Sequence, residues 1–286
     1  MKFVEHSSEL YPSGILPQCR SLARKMALDF LSLQMIGCRK MGGSPKSHLR
    51  ILHYHHVFED ERRGFEEQLS YLKDYFVIKP LGEAARELRE GRLKEPTLSI
   101  TFDDGFKNNV TIAAEILDKQ SVKACFYIVT DFISLQPNSF PQVLDFCKNR
   151  LCIDAAVENM TWDDIRLLRS QGHEIGSHSV THPSLPLCSV TEQRREISES
   201  KTTIEREIRE PIKHFSLPFG LKSHVSEQIG LLAKQAGYET CAYAVRGPNL
   251  SKCDPYQLTR DDVSATWSTR EIMTHFFRTM GRTKLR

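Results

Sequence analysis

At 286 residues, with 40% hydrophobic and 26% charged side chains, the chain can bury the core of one large domain or two small ones. Its 39 basic and 36 acidic residues nearly cancel to a net charge of +3, which gives no ground for a nucleic-acid partner. No stretch approaches the roughly 20 apolar residues of a spanning helix, and the Met1-Lys2-Phe3-Val4-Glu5-His6 start lacks the apolar run of a secretory signal. The eight cysteines form no Cys-x-x-Cys pair and read as free thiols in a reducing compartment, with Cys125 and Cys241 packed in the core. A cytoplasmic protein is expected.

In chain order, residues 1–49 form a leader of undefined role. Within it, residues 20–36 alternate Arg20, Arg24 and Lys25 with Leu22, Leu28, Phe30 and Leu31. That pattern suits a helix packed on a domain's outside, or a peripheral contact with the inner face of a membrane. Residues 50–286 read as one domain. A strand carrying three histidines (His53, His55 and His56) is expected over 50–57, followed by a helix with Phe65, Leu69 and Leu72 at helical spacing. A short strand at 76–78 and a helix over Leu81, Ala84, Ala85 and Leu88 come next, stopped at Gly91. After a strand from Leu98, the spacing predicts a helix over Val110–Leu117, a strand over 122–129 and a short helix near Val143–Cys147. Thr161 with Asp164, and Ser189 with Glu192, have the spacing of capping boxes, the second opening a long charged helix that buries Ile197, Ile204 and Ile208. Strands are expected at 173–177, 214–217, 240–245 and 256–259, with a helix over Val225–Ala236. Strands alternating with helices argue for a parallel α/β architecture. Without a glycine-rich phosphate turn after an early strand, a barrel is favoured over a dinucleotide fold.

Two stretches carry chemistry. Leu98 to Phe102 reads as a strand that ends in Asp103, Asp104 and Gly105. Alternation sends neighbouring strand residues to opposite faces, so two adjacent carboxylates can share a site only where the strand turns into a loop, and Gly105 permits that turn. The second stretch, His178-Ser179-Val180-Thr181-His182, follows another strand. Imidazoles four residues apart can converge from one helical turn or a compact loop. One carboxylate and two imidazoles make a three-ligand site with an open position, the arrangement of a catalytic rather than a structural metal.

Thr101-Phe102-Asp103-Asp104-Gly105 and His178-Ser179-Val180-Thr181-His182 resemble the first two motifs of the polysaccharide deacetylases, the NodB-homology or carbohydrate esterase family 4 domain. The resemblance runs from about Ile51 to Val263, with support from Ala124–Tyr127, Gly172–His178 and Phe215-Ser216-Leu217-Pro218-Phe219-Gly220. It implies a distorted (β/α) barrel of about seven parallel strands. It also implies Asp104, His178 and His182 as metal ligands, Asp103 as general base, and an oxyanion position at Phe219 beside Pro218. The implied metal is a divalent transition ion, Zn²⁺ in the first place, although two histidines and a carboxylate also suit Co²⁺, Ni²⁺ or Fe²⁺.

The match departs from the family in two places. Ser216 stands where the third motif usually has the arginine that holds the catalytic aspartate, and Arg260 is the candidate substitute. The late motif that supplies the general acid is absent. His275 does not match it, and His55, near the end of an early strand, is the candidate acid or a supporting residue. His173 reads as structural. The implied activity is metal-dependent removal of N-acetyl groups from amino sugars of a poly- or oligosaccharide or a lipid-linked precursor, as in exopolysaccharide biosynthesis. Hydrolysis of a non-sugar amide or cyclic imide, and a non-catalytic carbohydrate-binding scaffold, are the alternatives.

Overall fold

The computed structural model describes residues 2–10, 47–136 and 139–279. The amphipathic stretch 20–36 lies outside these residues. The central sheet follows the order β10-β1-β3-β4-β5-β6-β7-β9, every pair along it parallel. Its strands are β1 (His48–Tyr54), β3 (Thr97–Phe102), β4 (Cys125–Ile128), β5 (Glu174–Ser177), β6 (His214–Ser216), β7 (Thr240–Tyr243), β9 (Leu258–Thr259) and β10 (Asp261–Asp262). Only Arg260 separates β9, paired with β7, from β10, paired with β1. Counted as one broken stave, β9 and β10 nearly close the sheet into a barrel of the expected kind. Two short strands lie off this path: β2 (Val77–Ile78) runs parallel to the start of β3, and β8 (Asn249–Leu250) runs antiparallel to β1.

Strand alternation sorts the core into two shells. Leu52, Tyr54, Leu98, Ile100, Phe102, Phe126 and Phe215 face outward and bury against the surrounding helices. Leu49, Ile51, Cys125, Tyr127, Ala242 and Leu258 face the other way, and the helix Leu81–Arg89 packs Leu81, Ala84, Ala85 and Leu88 onto that inward set. Each large apolar side chain buried this way contributes about 1.5–3 kcal/mol. Further along, the same inward rows turn polar: Asp103 after β3, His178 after β5, Ser216 on β6 and Arg260 after β9. The parallel strands bring these positions together at their C-terminal ends.

Several boundaries differ from the sequence expectation. β1 starts at His48 and ends at Tyr54, so His55 and His56 sit in the loop beyond it. β4 is limited to Cys125–Ile128, β6 ends at Ser216 and β7 at Tyr243, because these chains bend away once they leave the ladder. The helix after the Asp pair opens with a π-helical stretch, Asn109–Ala114, before Glu115–Lys119. The helix Thr269–Thr279, which has an apolar face of Ile272, Met273 and Phe276, was not anticipated. Cys125 and Cys241 are buried as expected, and the six described cysteines are all unpaired. No helix among the described residues is long and apolar enough to cross a membrane.

Candidate active site

Strand β3 ends at Phe102, and the turn that follows holds Asp104 at φ 73° and Gly105 at φ 97°. Two successive left-handed residues reverse the chain at once; aspartate tolerates that conformation better than most side chains, and glycine does so without cost. The turn is fixed from both sides. Asp103 N–H donates to the Tyr54 carbonyl at 3.0 Å, and the Gly105 carbonyl accepts from Met160 N–H at 2.8 Å. Lys107 then pairs with Asp164, the residue that caps the helix Trp162–Ser170 together with Thr161.

The two histidines come from a compact loop rather than a helical turn. Ser179 (φ 72°) and His182 (φ 56°) are both left-handed, and the loop is pinned by Glu196 of the helix Val190–Ile208. Its carboxylate accepts from the Val180 and Thr181 N–H groups at 2.9 Å each and from the Thr181 hydroxyl at 3.0 Å.

The turn and the loop converge on one point. Asp104 Oδ1 lies 3.6 Å from His178 Nε2 and 3.5 Å from His182 Nε2, with all three residues buried. His178 Nδ1 is 2.8 Å from the Ser216 carbonyl and His182 Nδ1 is 3.0 Å from the Arg150 carbonyl. A carbonyl only accepts, so each Nδ1 carries the proton and each Nε2 presents a lone pair to Asp104. Burial pushes His178 down to about 4, outweighing the nearby Asp103 carboxylate, so its ring is neutral at pH 7. Asp104 Oδ1 is buried without a hydrogen-bond partner. One unpartnered carboxylate oxygen facing two imidazole lone pairs is an arrangement that a cation relieves. The donor set therefore fits a divalent metal ion, and the carbonyls behind both rings supply the orienting contacts such ligands use.

Asp103 faces the same point, with Oδ2 3.7 Å from His178 Nε2. Arg260 reaches it from the break between β9 and β10: Nη1 donates to Oδ1 and Nη2 to Oδ2, both at 2.7 Å. The same guanidinium donates to the Ser216 hydroxyl at 2.6 Å and the Thr101 hydroxyl at 3.2 Å. Burial raises the Asp103 carboxyl, but Arg260, His178 and the paired hydrogen bonds outweigh it and hold the group well below the usual carboxylate range. Asp103 is thus a fixed anion. The serine in place of the usual arginine makes room for a guanidinium from another strand.

Phe219 is left-handed (φ 60°) and half exposed, and its ring lies 4.6 Å from that of His182. Among the described residues no hydrogen bond engages its N–H, and Pro218 before it has none to offer. His55 is half-buried, with a ring nitrogen in the same group of atoms as His53 and Asp103, all within 4.8 Å of one another. His275 is not part of the site: it is buried on the C-terminal helix with Nε2 3.0 Å from Asp261 Oδ1. His173 is fully buried, and its Nδ1 accepts from Ala124 N–H at 3.2 Å.

The family model for polysaccharide deacetylases matches residues 90–241, more than half of the chain. This chain belongs to the polysaccharide deacetylase family. The chitooligosaccharide deacetylase of Sinorhizobium fredii is 26% identical over 132 residues, covering 45% of this chain and 49% of the relative. The peptidoglycan-N-acetylmuramic acid deacetylase PdaA of Bacillus subtilis is 24% identical over 161 residues, covering 54% and 49%. The chain thus spans about half the length of these two relatives. Among solved structures, the Streptococcus pyogenes deacetylase PplD in complex with acetate superposes with a TM-score of 0.65 at 19% identity, over 82% of this chain and 99% of that one. The fold is shared over most of this chain although the sequences have drifted far apart.

Within this deacetylase domain, sequence reasoning missed Glu196. Its signal was present as polar residues inside the buried stripe of a helix: Gln193, Glu196 and Ser200 at helical spacing. It placed His53 on the first strand but missed its partner Asp262, whose Oδ1 lies 3.4 Å from His53 Nε2, because β10 has only two residues and leaves no periodic trace.

Proposed function

We propose that this protein is a metal-dependent hydrolase that removes N-acetyl groups from amino sugars of a poly- or oligosaccharide, or of a lipid-linked precursor. The observation that carries the reading is the buried, unpartnered Asp104 Oδ1 facing the Nε2 atoms of His178 and His182, beside an Asp103 clamped by Arg260. Asp104, His178 and His182 would hold a divalent transition ion, Zn²⁺ first among those that suit the set, and such an ion polarises an amide carbonyl and makes water acidic.

The chain's own residues supply the rest. Asp103, ionised and unable to rotate within the Arg260 fork, accepts a proton from the attacking water as its oxygen bonds to the acyl carbon. The free N–H of Phe219 donates to the oxygen of that carbonyl as it gains charge. His55 donates a proton to the nitrogen as the carbon–nitrogen bond breaks, which releases acetate and a free amine. The unpaired thiols support a reducing, cytoplasmic setting for this reaction.

The test is elemental analysis joined to acetate release from N-acetylglucosamine oligomers. The parent protein should carry about one equivalent of transition metal, and His178→Ala should lose it. Asp103→Asn should keep the metal and lose turnover by about two to four orders of magnitude. Full activity in Asp103→Asn would overturn the role given to that carboxylate. No metal in the parent after reconstitution with Zn²⁺ or Co²⁺ would favour a binding scaffold.

A further inference from the structure

Beside His55 a cavity of about 700 Å³ opens, lined among others by Ser7, His56, Glu61, Asp262 and Trp267. Its size falls in the range of ligand pockets, roughly 300–1,000 Å³. His56 is buried between Phe58 and Phe106, and both of its ring nitrogens are without a hydrogen-bond partner. One wall is built by the N-terminal segment, whose Ser7 N–H and hydroxyl both donate to Asp60, at 3.0 and 2.7 Å.

The charged side chains of the lining, Glu61 and Asp262, are both acidic. Glu61 is buried, and Phe58 N–H donates to its Oε2 at 2.9 Å, leaving Oε1 for a ligand. Asp262 is half exposed; His53 Nε2 stands 3.4 Å from its Oδ1, and the exposed Arg246 reaches Oδ2 only at 4.0 Å. Burial pushes Glu61 up to about 7, and a cation bound beside it would draw it back to the charged form. Trp267 adds an aromatic face, against which the C–H face of a sugar ring can pack.

We propose that this cavity binds a second ring of the saccharide, a hexosamine with a free amine, next to the N-acetyl residue held at Asp104, His178 and His182. The ammonium faces Glu61 and Asp262, and the ring packs on Trp267. The inference rests on the deacetylase reading and deepens it: the preferred substrate is a partly deacetylated chain, so each round of hydrolysis makes a better neighbour for the next.

Two measurements test it. The first is acetate release from a fully acetylated N-acetylglucosamine tetramer and from one with a single free amine. The wild type should favour the amine-bearing tetramer by about fivefold in kcat/KM at low salt, and Asp262→Asn or Glu61→Gln should bring that ratio toward one. A ratio near one in the wild type, or one unchanged in both variants, would overturn the proposal. The second is calorimetric binding of the fully deacetylated tetramer, which needs no turnover. Tighter binding than that of the acetylated tetramer, weakened by Asp262→Asn and by salt, supports the cavity even if no acetate is released, an outcome in which only the deacetylase reading would fall. Equal binding by wild type and Asp262→Asn would remove the cavity proposal and leave the deacetylase reading standing.

Discussion

Arg260 gives two N–H groups to the two oxygens of Asp103 while both partners are buried. Removing either member of such a pair strands a charge, at a cost of about 3–5 kcal/mol. A lysine cannot replace the fork, because its ammonium is a point donor without the planar, bidentate geometry. The structure also explains why serine occupies position 216. Its hydroxyl accepts from Arg260 Nη2 at 2.6 Å, so a larger cation there would collide with the guanidinium already present. Ser216→Arg alone should therefore place two guanidinium groups on one carboxylate and destabilise the fold, whereas Ser216→Arg combined with Arg260→Ser should recover much of the loss. Thermal unfolding and acetate release of the two single variants and the double variant would check this. A double variant worse than the sum of its parts would mean that the two positions are not interchangeable sources of the same group.

Two helices hold the loops that carry Asp104, His178 and His182, the candidate metal ligands. Through Glu196, the helix Val190–Ile208 fixes the peptide groups of Val180 and Thr181 that lie between the histidines. Glu196→Ala should leave these N–H groups unpaired and let His178 and His182 drift, lowering metal affinity by about 10–100-fold, as is usual for orienting contacts, with little change in far-UV circular dichroism. A competition assay against a chelator of known affinity would read the loss. The helix Trp162–Ser170 acts through Asp164, which accepts from Thr161 N–H and the Thr161 hydroxyl at 2.8 Å each and pairs with Lys107 beyond the Asp turn. Burial raises this carboxyl, but Lys107 and the Thr161 hydrogen bonds outweigh it, so its folded value is lowered. A lowered folded value adds stability above the unfolded value of about 3.9 and loses it as the pH falls below that point. Asp164→Asn should therefore cost about 1–2 kcal/mol at pH 7 and progressively less below about pH 4, as judged by urea unfolding across that range. A cost independent of pH would show that the cap works without the charge.

The molecule as a whole was legible where side-chain pattern and backbone period agree. The alternation of strands and helices, both capping boxes and the stripe Ile197, Ile204 and Ile208 follow from local chemistry. The motifs at Asp103-Asp104 and His178–His182 stood out because charge at a strand end needs a reason. What stayed hidden depends on contacts distant in sequence: the two-residue strands β8 and β10 exist only because β1 provides an edge for each of them, whereas Arg260, 157 positions from Asp103, was within reach only because a missing arginine at 216 called for a substitute. The same long-range assembly sets how the protein should respond to metal. Asp104, His178 and His182 meet only when β3 and β5 are in register with β4 between them, so the unfolded chain has no comparable site. An ion that binds only the folded state stabilises it by about 2.7 kcal/mol at a hundredfold excess over its Kd. For a protein of this size, where 1 kcal/mol corresponds to about 2–4 °C, saturating Zn²⁺ should raise Tm by roughly 5–10 °C. Chelation should reverse the rise, and His182→Ala should abolish it, since two remaining ligands hold an ion far more weakly than three. An equal rise in His182→Ala would mean that the ion stabilises the protein from somewhere other than this site.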